Sequence, residues 1–358
     1  MPGFVPHFLA GTLRGLAVLL GTGLCAPVLA EPALELKECA ALEDPGDRLT
    51  CYDALAAGIE LRELEEMQRA QELREGQEPP LPALAAGEEV VEPPSAIEMR
   101  MKQSSLVRQN FFSMTPYRPN YFLPVTYNSR PNQEFFQSSR GDDARIDRFE
   151  AKFQFSLEFD VWREMLGQEM DLYFAYTQQA WWQMYNEENS SPFREVNHEP
   201  ELGVILRPDL TLLGLNSRQL RFGFVHHSNG RDEPLSRSWN RAFATAILDR
   251  GNFATALRVW YRIPESNVRD DNPDITDFYG NFEWYGFYKW RRNTLGIMVR
   301  NNLKRDDNRG ALQLDWSYPL SERLKFYMQY YNGYGESLIE YDRSTHRLGV
   351  GLMLTDWL

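Results

Sequence analysis

The chain has 358 residues, of which 43% are hydrophobic and 13% aromatic, and its formal net charge is −13 at pH 7. This aromatic content argues against a disordered protein, and a mean hydropathy of −0.50 argues against a bundle of transmembrane helices. A transmembrane β-barrel is compatible with the same average, because its strands alternate apolar residues that face lipid with polar residues that face the lumen.

The acidic charge is concentrated near the N-terminus. Residues 31–99 carry 18 Asp and Glu against five Lys and Arg, whereas residues 100–358 carry 33 acids and 32 bases. The main body of the chain is therefore almost neutral, and it has no basic stripe of the kind that binds nucleic acid. We expect no nucleic-acid partner.

Residues 1–30 have the pattern of a secretory signal peptide. Arg14 precedes an apolar run over residues 16–20, and small residues follow up to Ala30, after which we expect cleavage. The mature chain would keep two of the three cysteines, Cys39 and Cys51. In an exported protein we expect these two to form a disulfide, the alternative being two unbonded small apolar side chains.

The acidic region is predicted to have two parts. Residues 31–75 are expected to form a small periplasmic segment, with a helix over residues 54–75, where Leu and Met recur among many Glu. Residues 76–104 contain five prolines and are predicted to be a linker. Residues 105–358 then form the predicted main domain.

This domain begins with a long alternating pattern over residues 149–161. The odd positions are all apolar and the even positions are all polar or charged, which predicts a strand with one apolar and one polar face. Similar patterns recur farther along the chain, separated by stretches rich in Gly, Asn, Asp and Pro. They lie at residues 170–176, 220–224, 253–263, 295–299, 312–318, 324–330 and 348–354.

A soluble β-sandwich also alternates, but three features favour a membrane barrel. The polar faces carry Arg, Glu, Asp and Gln in the middle of strands, the Tyr and Trp residues cluster toward strand ends, and the chain begins with an export signal. The region beyond residue 100 has room for roughly a dozen strands of about 10 residues. A closed barrel also leaves no unpaired strand edge in lipid. The sequence therefore predicts an all-β, multi-pass barrel in a bacterial outer membrane.

The candidate site lies where polar residues interrupt an apolar face. Leu220, Phe222 and Phe224 share one parity, and His226 and Ser228 continue it, so both side chains should face lipid side by side. Asn240 shares parity with a run of alanines in the next predicted strand. If the two strands are hairpin neighbours, Asn240 can lie beside His226.

These three residue types form a hydrolytic constellation. A serine hydroxyl needs a base within hydrogen-bond reach, and an imidazole can take its proton and return it to the leaving group. An amide oxygen can fix the imidazole tautomer, as a carboxylate does in serine hydrolases. We therefore assign Ser228 as nucleophile, His226 as general base and acid, and Asn240 as the group that orients His226. The alternative is an ordinary polar strand end at the membrane interface.

Several sequence blocks resemble the bacterial outer membrane phospholipase A family. Residues 226–231 (HHSNGR) and 236–241 (SRSWNR) resemble its active-site signature. Four further blocks match in the family's order, at residues 176–183 (YTQQAWWQ), 190–195 (SSPFRE), 270–275 (DDNPDI) and 334–341 (YGESLIEY). The resemblance spans roughly residues 105–358 and leaves out the acidic leader.

The resemblance implies a twelve-stranded antiparallel barrel and a calcium-dependent lipase that is activated when it forms a homodimer in the membrane. It maps Ser228 to the nucleophile, His226 to the base and Asn240 to the third member of the triad. The family's oxyanion hole combines the nucleophile's backbone N–H with calcium-bound water.

The resemblance also implies a set of calcium and dimer residues. Arg231, through its carbonyl, and Ser236, through its side chain and carbonyl, match calcium ligands, and Ser190 matches the ligand supplied across the dimer. Glu233 and Asp271 match positions used for calcium in the monomer. Gln178, on the outward parity of its strand, matches a residue that hydrogen-bonds across the dimer interface. Oxygen ligands of this kind suit Ca²⁺.

Two functions follow as hypotheses. The first is a Ca²⁺-dependent phospholipase of the A1/A2 type, which cleaves acyl esters of glycerophospholipids and lysophospholipids through an acyl-serine intermediate. The second is a non-enzymatic outer-membrane barrel, either a porin or a structural anchor for the acidic leader. The polar residues on the lipid-facing parity favour the first.

Overall fold

The computed structural model describes residues 39, 42, 44–56, 95, 97–98, 100–101, 114–167, 170–266, 270–321 and 323–356. The chain divides into two units, Met1–Ala56 and Ala57–Leu358. In the first unit, helix α1 (Pro45–Ala56) carries Cys51, which is bonded to Cys39 with a Cα–Cα distance of 5.5 Å. The expected signal peptide and most of residues 31–104 lie outside the described residues.

The second unit consists mainly of β-strands with a few short helices. Two strands of two residues each, β1 (Thr115–Pro116) and β6 (Thr211–Leu212), pair with longer strands. The helices are α2 (Gln133–Arg140) and α3 (Ile275–Tyr279), and 3₁₀ turns lie at Met165–Gly167 and Glu187–Asn189. The long strands are β2 (Asn120–Asn128), β3 (Phe149–Trp162), β4 (Met170–Trp182), β5 (Phe193–Leu206), β7 (Leu215–Ser228), β8 (Ser238–Arg250), β9 (Phe253–Ile263), β10 (Phe282–Trp290), β11 (Asn293–Asn301), β12 (Gly310–Pro319), β13 (Lys325–Tyr334) and β14 (Ser344–Thr355).

The twelve long strands form one closed antiparallel barrel. Each pairs with the long strands that precede and follow it in the chain, and β14 pairs with β2 through Val350 and Val125 to close the sheet. The predicted twelve-stranded antiparallel barrel is confirmed. None of the helices in the described part of the chain is long and apolar enough to cross a membrane.

The two faces of the wall differ as the alternation predicts. On β7, Phe222 and Phe224 point outward and are 42% and 63% exposed, while Arg221 and Val225 point into the lumen and are buried. An outer surface of exposed aromatic and aliphatic side chains is what a lipid-facing wall requires. The outer wall of the barrel therefore has the surface of a transmembrane β-barrel.

The lumen contains buried charges that are paired with one another. Arg194 donates to the Glu150 carboxylate at 3.0 Å and to that of Glu340 at 2.5 Å, and all three side chains are almost fully buried. Arg347 and Lys152 both bond to Glu336, at 2.8 and 3.0 Å. Such charges are tolerated inside a protein only when they are paired, so this level of the lumen is a packed polar core.

The connections at the two ends of the barrel differ in length. At one end, β8–β9 and β10–β11 are joined by two-residue turns (251–252 and 291–292). At the other end the connections are longer, and α2 and α3 lie within them. In bacterial outer-membrane barrels the long loops are extracellular. Strand β7 ends, and β8 begins, at this long-loop rim.

A short stretch before the barrel packs at the end with short turns. Ser95 donates to the Asp249 carboxylate, and Arg218 bridges Asp249 and Glu98 at 2.7 and 3.0 Å. Arg100 donates to the backbone carbonyl of Asp356, near the end of the last strand. These contacts attach the chain just before the first barrel strands to the barrel wall.

Candidate active site

Strands β7 and β8 bring the three predicted triad residues to one place on the outer wall. His226 and Ser228 lie two positions apart near the end of β7, and both point outward. The register pairs His226 with Asn240 and Ser228 with Ser238. His226 is exposed, while Ser228 and Asn240 are half-buried. The three side chains therefore share one face and one level of the barrel.

One hydrogen bond defines the state of the imidazole. His226 Nδ1 lies 2.9 Å from Asn240 Oδ1. An amide oxygen can only accept a hydrogen bond, so Nδ1 carries the proton. In the neutral ring the other nitrogen, Nε2, then carries the lone pair, and this is the form that can accept a proton from a hydroxyl.

The Asn240 amide is also held on its other side. Its Nδ2 donates to Glu265 Oε1 at 3.0 Å. Ile263, the last residue of β9, pairs with Asn240, and Glu265 lies two residues farther along the chain. The sequence does not mark Glu265, because this residue lies outside any alternating stretch.

The site borders directly on the lipid-facing surface. Below it on β7 lie the exposed Phe222 and Phe224, and on β9 Tyr261 is 66% exposed. Because His226, Ser228 and Asn240 lie at strand ends, they stand near the long-loop rim of the barrel.

A row of polar side chains crosses the outer wall at the level of Ser228. The register pairs Gln178 of β4 with His198 of β5, and His198 with Ser228. The Tyr176 hydroxyl lies 2.6 Å from His198 Nδ1 and donates to Gln178 Oε1 at 3.2 Å. Gln178 is a residue predicted from the sequence, whereas His198 is not, although His198 shares outward parity with Leu202 and Val204.

The adjacent His227 has a different role. It points into the lumen, is buried, and accepts a hydrogen bond from Trp239 Nε1 at 3.2 Å. Its nearest charged partner is the Glu199 carboxylate, at 3.5 Å. The barrel wall separates this histidine from Ser228, so it belongs to the luminal network.

The loop between β7 and β8 is braced by Asn229. Its Oδ1 accepts hydrogen bonds from the backbone N–H groups of Arg231 and Arg237, at 3.4 and 2.9 Å, and its Nδ2 donates to the Leu235 carbonyl at 2.9 Å. Gly230 has φ +63°, a conformation that costs glycine least. The loop holds the backbone of Arg231 and Ser236 in a fixed turn beside the triad.

The predicted calcium residues separate into two groups. Ser236 Oγ donates to Asp271 Oδ2 at 2.5 Å, and Asn272 positions this second segment by accepting from the Ser238 N–H at 3.0 Å. Asp271 also contacts Glu233, and this hydrogen bond, with the negative charge of Asp271, raises the pKa of the Glu233 carboxyl. These loop residues thus form a cluster of oxygen atoms next to β8.

Arg231 and Ser190 are held differently. The Arg231 guanidinium donates to Glu195 Oε2 at 3.1 Å and to the Arg194 carbonyl at 2.5 Å, so its side chain turns toward β5. Ser190 is an exposed residue with φ +61° on the β4–β5 loop, and the structure records no contact between Ser190 and Ser236. Within the described ranges, no three His, Cys, Asp or Glu side chains form a metal-binding group.

A cavity of about 580 Å³ lies inside the barrel, on the other side of the wall from the triad. Its lining includes Tyr117, Arg258 and Phe287, but none of Ser228, His226 or Asn240. The luminal space is therefore separate from the candidate site.

The fold and the surface define an outer-membrane β-barrel with a polar site on its lipid-facing wall. A family model described as phospholipase A1 matches residues 97–354. The chain belongs to this family, the outer membrane phospholipases A, and is therefore a phospholipase. This assignment favours the enzymatic hypothesis over a non-enzymatic porin or anchor.

Relatives support the same assignment over most of the barrel. The chain is 40% identical over 248 residues to phospholipase A1 of Escherichia coli strain K12, covering 69% of this chain and 83% of that one. It resembles the solved structure of outer membrane phospholipase A from Escherichia coli, with a TM-score of 0.65, 38% identity, and coverage of 70% and 95% of the two chains. The calcium-bound phospholipase dimer from Salmonella typhi also matches with a TM-score of 0.65, at 37% identity and the same coverage.

Proposed function

We propose that the protein is a Ca²⁺-dependent serine hydrolase that cleaves acyl esters of glycerophospholipids and lysophospholipids, with both A1 and A2 activity. The observation that carries this proposal is the 2.9 Å hydrogen bond between His226 Nδ1 and Asn240 Oδ1 on the outer wall, two residues from Ser228. Acyl transfer to a serine requires a hydroxyl and a base in the correct tautomer, and here the two groups lie on the same face of the barrel.

In the first half of the reaction, Ser228 Oγ attacks the ester carbonyl carbon while His226 Nε2 takes the hydroxyl proton. The imidazolium donates its Nδ1–H to Asn240 Oδ1, which stabilises the developing positive charge without burying a second full charge at the lipid surface. His226 then returns the proton to the oxygen of the departing lysolipid alcohol. The product is an acyl ester of Ser228.

In the second half, His226 Nε2 takes a proton from a water molecule that attacks the acyl carbonyl carbon. The C–O bond to Ser228 breaks, and the proton passes from His226 back to Ser228 Oγ. A fatty acid is released and the starting state of the triad is restored. Because the site lies on the outer wall, the acyl chain can remain in the membrane throughout.

The oxygen cluster at the β7–β8 loop fits a calcium ion in its chemistry. Ser236, through its hydroxyl and carbonyl, and Arg231, through its carbonyl, would hold the ion, with Glu233 and Asp271 as a second position. All of these donors are oxygens, which hard cations such as Ca²⁺ prefer. When bound, Ca²⁺ would supply positive charge near the oxyanion that forms on the ester carbonyl.

The active form is proposed to be a homodimer that brings Ser190 of one subunit to the calcium site of the other. Two features support this: Ser190 is exposed on the β4–β5 loop, and the relative from Salmonella typhi forms a dimer with calcium. The lipid-facing Gln178, on the same row as Ser228, would bond across the interface through its NH₂ group, because its Oε1 already accepts from Tyr176 and a donor that faces lipid needs a partner.

Chelation tests the calcium part of the proposal. We expect EDTA to lower hydrolysis of labelled phosphatidylcholine by at least about 100-fold, the size of effect seen when an oxyanion donor is removed, and Ca²⁺ to restore it. Ser236→Ala is expected to raise the Ca²⁺ concentration for half-maximal activity by about 10-fold. Full activity in EDTA would exclude a role for calcium.

A fluorophore at the sn-1 or the sn-2 acyl chain separates A1 from A2 activity in the same assay. We expect release of the labelled acyl chain from both positions. A site on the open outer surface of the barrel has no enclosing pocket that could exclude either chain. Release from one position alone would restrict the function to that activity.

A further inference from the structure

The Asn240 amide is held between two groups of opposite hydrogen-bonding character. Its Oδ1 accepts from His226 Nδ1 at 2.9 Å, and its Nδ2 donates to Glu265 Oε1 at 3.0 Å. Within the described ranges, no Lys or Arg forms an ion pair with Glu265, and its recorded hydrogen bond is the one to Asn240. The half-buried Glu265 carboxylate is thus directed at this amide.

We propose that Glu265 is a positioning residue, which extends the hydrolytic constellation to Ser228–His226–Asn240–Glu265. The inference rests on the proposed serine-hydrolase function and deepens it. The Glu265 carboxylate fixes the orientation of the Asn240 amide, and this orientation in turn fixes the tautomer of His226.

The physical reason is that the two ends of an amide group have the same shape but opposite hydrogen-bonding roles. An ionised carboxylate can only accept, so beside Glu265 only the NH₂ end of Asn240 forms a bond. If the amide turned over, its oxygen would face the carboxylate and two acceptors would repel. The amide nitrogen of Asn240 would then face His226 Nδ1. It could donate a hydrogen bond only if Nδ1 carried a lone pair instead of a proton.

That turned-over state would be inactive. With the lone pair on Nδ1, the imidazole proton lies on Nε2, and Nε2 can no longer accept the proton of Ser228. An asparagine alone has little preference between its two orientations at this site, because both satisfy one hydrogen bond to the ring. Glu265 removes this ambiguity.

Glu265 also places a negative charge one hydrogen bond beyond the amide. Asn240 is neutral, so the charge that an aspartate would supply in a serine hydrolase is missing from the triad itself. When His226 becomes an imidazolium, the Asn240 dipole aligned by Glu265 stabilises it, and the nearby carboxylate adds to this effect. No proton moves to Asn240 or to Glu265 in any step.

The test is a double-mutant cycle in the full-length protein with Ca²⁺. We expect Glu265→Ala to lower kcat about 10-fold, the equivalent of one charge-assisted hydrogen bond, with KM changed by less than about 2-fold because substrate does not touch this residue. Glu265→Gln keeps an acceptor oxygen and should recover about half of the loss on a logarithmic scale. In an Asn240→Ala background, Glu265→Ala should have no further effect.

Asp307→Ala is the matched control, since Asp307 is an exposed carboxylate on another loop of the same rim, paired with Arg309. It should leave kcat unchanged. An equal loss from Glu265→Ala with and without Asn240, a change in KM alone, or no loss at all would overturn the proposal. If Ser228→Ala and His226→Ala also retained activity, the proposed function itself would fail.

A second measurement does not depend on turnover. The ¹⁵N NMR signals of the His226 ring should report a proton on Nδ1 in the parent protein and a mixture of both tautomers in Glu265→Ala. An unchanged tautomer in Glu265→Ala would contradict the inference, whatever the activity of the parent. The same spectra of Asp307→Ala should match the parent.

Discussion

Ser228→Ala is expected to lower phospholipid hydrolysis by at least about 1000-fold, because the hydroxyl is the only part of the proposed triad that forms the acyl bond. The change removes one oxygen atom from a half-buried position on the outer wall, so the barrel should fold normally. Hydrolysis is measured as fatty-acid release from mixed micelles in excess Ca²⁺, and folding as the urea midpoint of tryptophan fluorescence.

The matched control for this variant is Ser344→Ala. Ser344 also lies at the long-loop rim with its side chain on the outer wall, but on β14, on the opposite side of the barrel. It should keep full activity. Comparable activity in Ser228→Ala and the parent would remove the acyl-serine mechanism, and an equal loss in both serine variants would point to a general effect on the rim.

The second large effect is expected on stability. Arg194→Ala removes the cation shared by the buried carboxylates of Glu150 and Glu340. Glu150 keeps its ion pair with Arg347 at 2.7 Å, whereas Glu340 loses the ion pair recorded for it within the described residues. Removing one partner of a buried ion pair costs about 3–5 kcal/mol, because the remaining charge is left desolvated. The free energy of unfolding of the barrel should fall by this amount, measured by urea titration in lipid vesicles.

Lys304→Ala is the control for the buried network. Lys304 pairs with Asp277 at 2.6 Å, but both side chains are more than 40% exposed. Exposed pairs contribute at most about 1 kcal/mol, so this variant should be close to the parent. If Arg194→Ala were as mild as Lys304→Ala, water would reach the network and the lumen at this level would be solvated.

The alternation of residues predicts most of the barrel because a membrane wall imposes period two on both faces. It identifies β3, β7 and β9 well, since their outward positions are apolar. It does not mark β5, where His198 and Pro200 occupy outward positions, or β2, where Pro124 interrupts the strand. In both strands, polar or cyclic residues break the apolar pattern within the strand.

The same principle explains what was predicted of the site. His226 and Ser228 are predictable because they are polar on an apolar parity, and hairpin pairing of the two strands places Asn240 beside His226. Glu265 could not be found in this way. It lies beyond the end of β9, and its contact with Asn240 depends on the path of the chain after Ile263, which no periodicity encodes.

The resemblance to a known family supplied what periodicity could not. The oxygen atoms near Ser236 come from a loop and from the segment at Asp271, which are far apart in the sequence. Their approach depends on the hydrogen bond between Asn272 and the N–H of Ser238, a tertiary contact. Without the matching motifs, nothing in the sequence would distinguish the serines of these loops from ordinary polar loop residues.

The most direct test of the central claim is covalent labelling by a long-chain sulfonyl fluoride, followed by peptide mass spectrometry. An activated hydroxyl on the outer wall should react, so the account predicts one sulfonyl group on Ser228, faster with Ca²⁺ than with EDTA and absent in His226→Ala. Labelling of another residue, or equal labelling of Ser228 in the parent and His226→Ala, would contradict it.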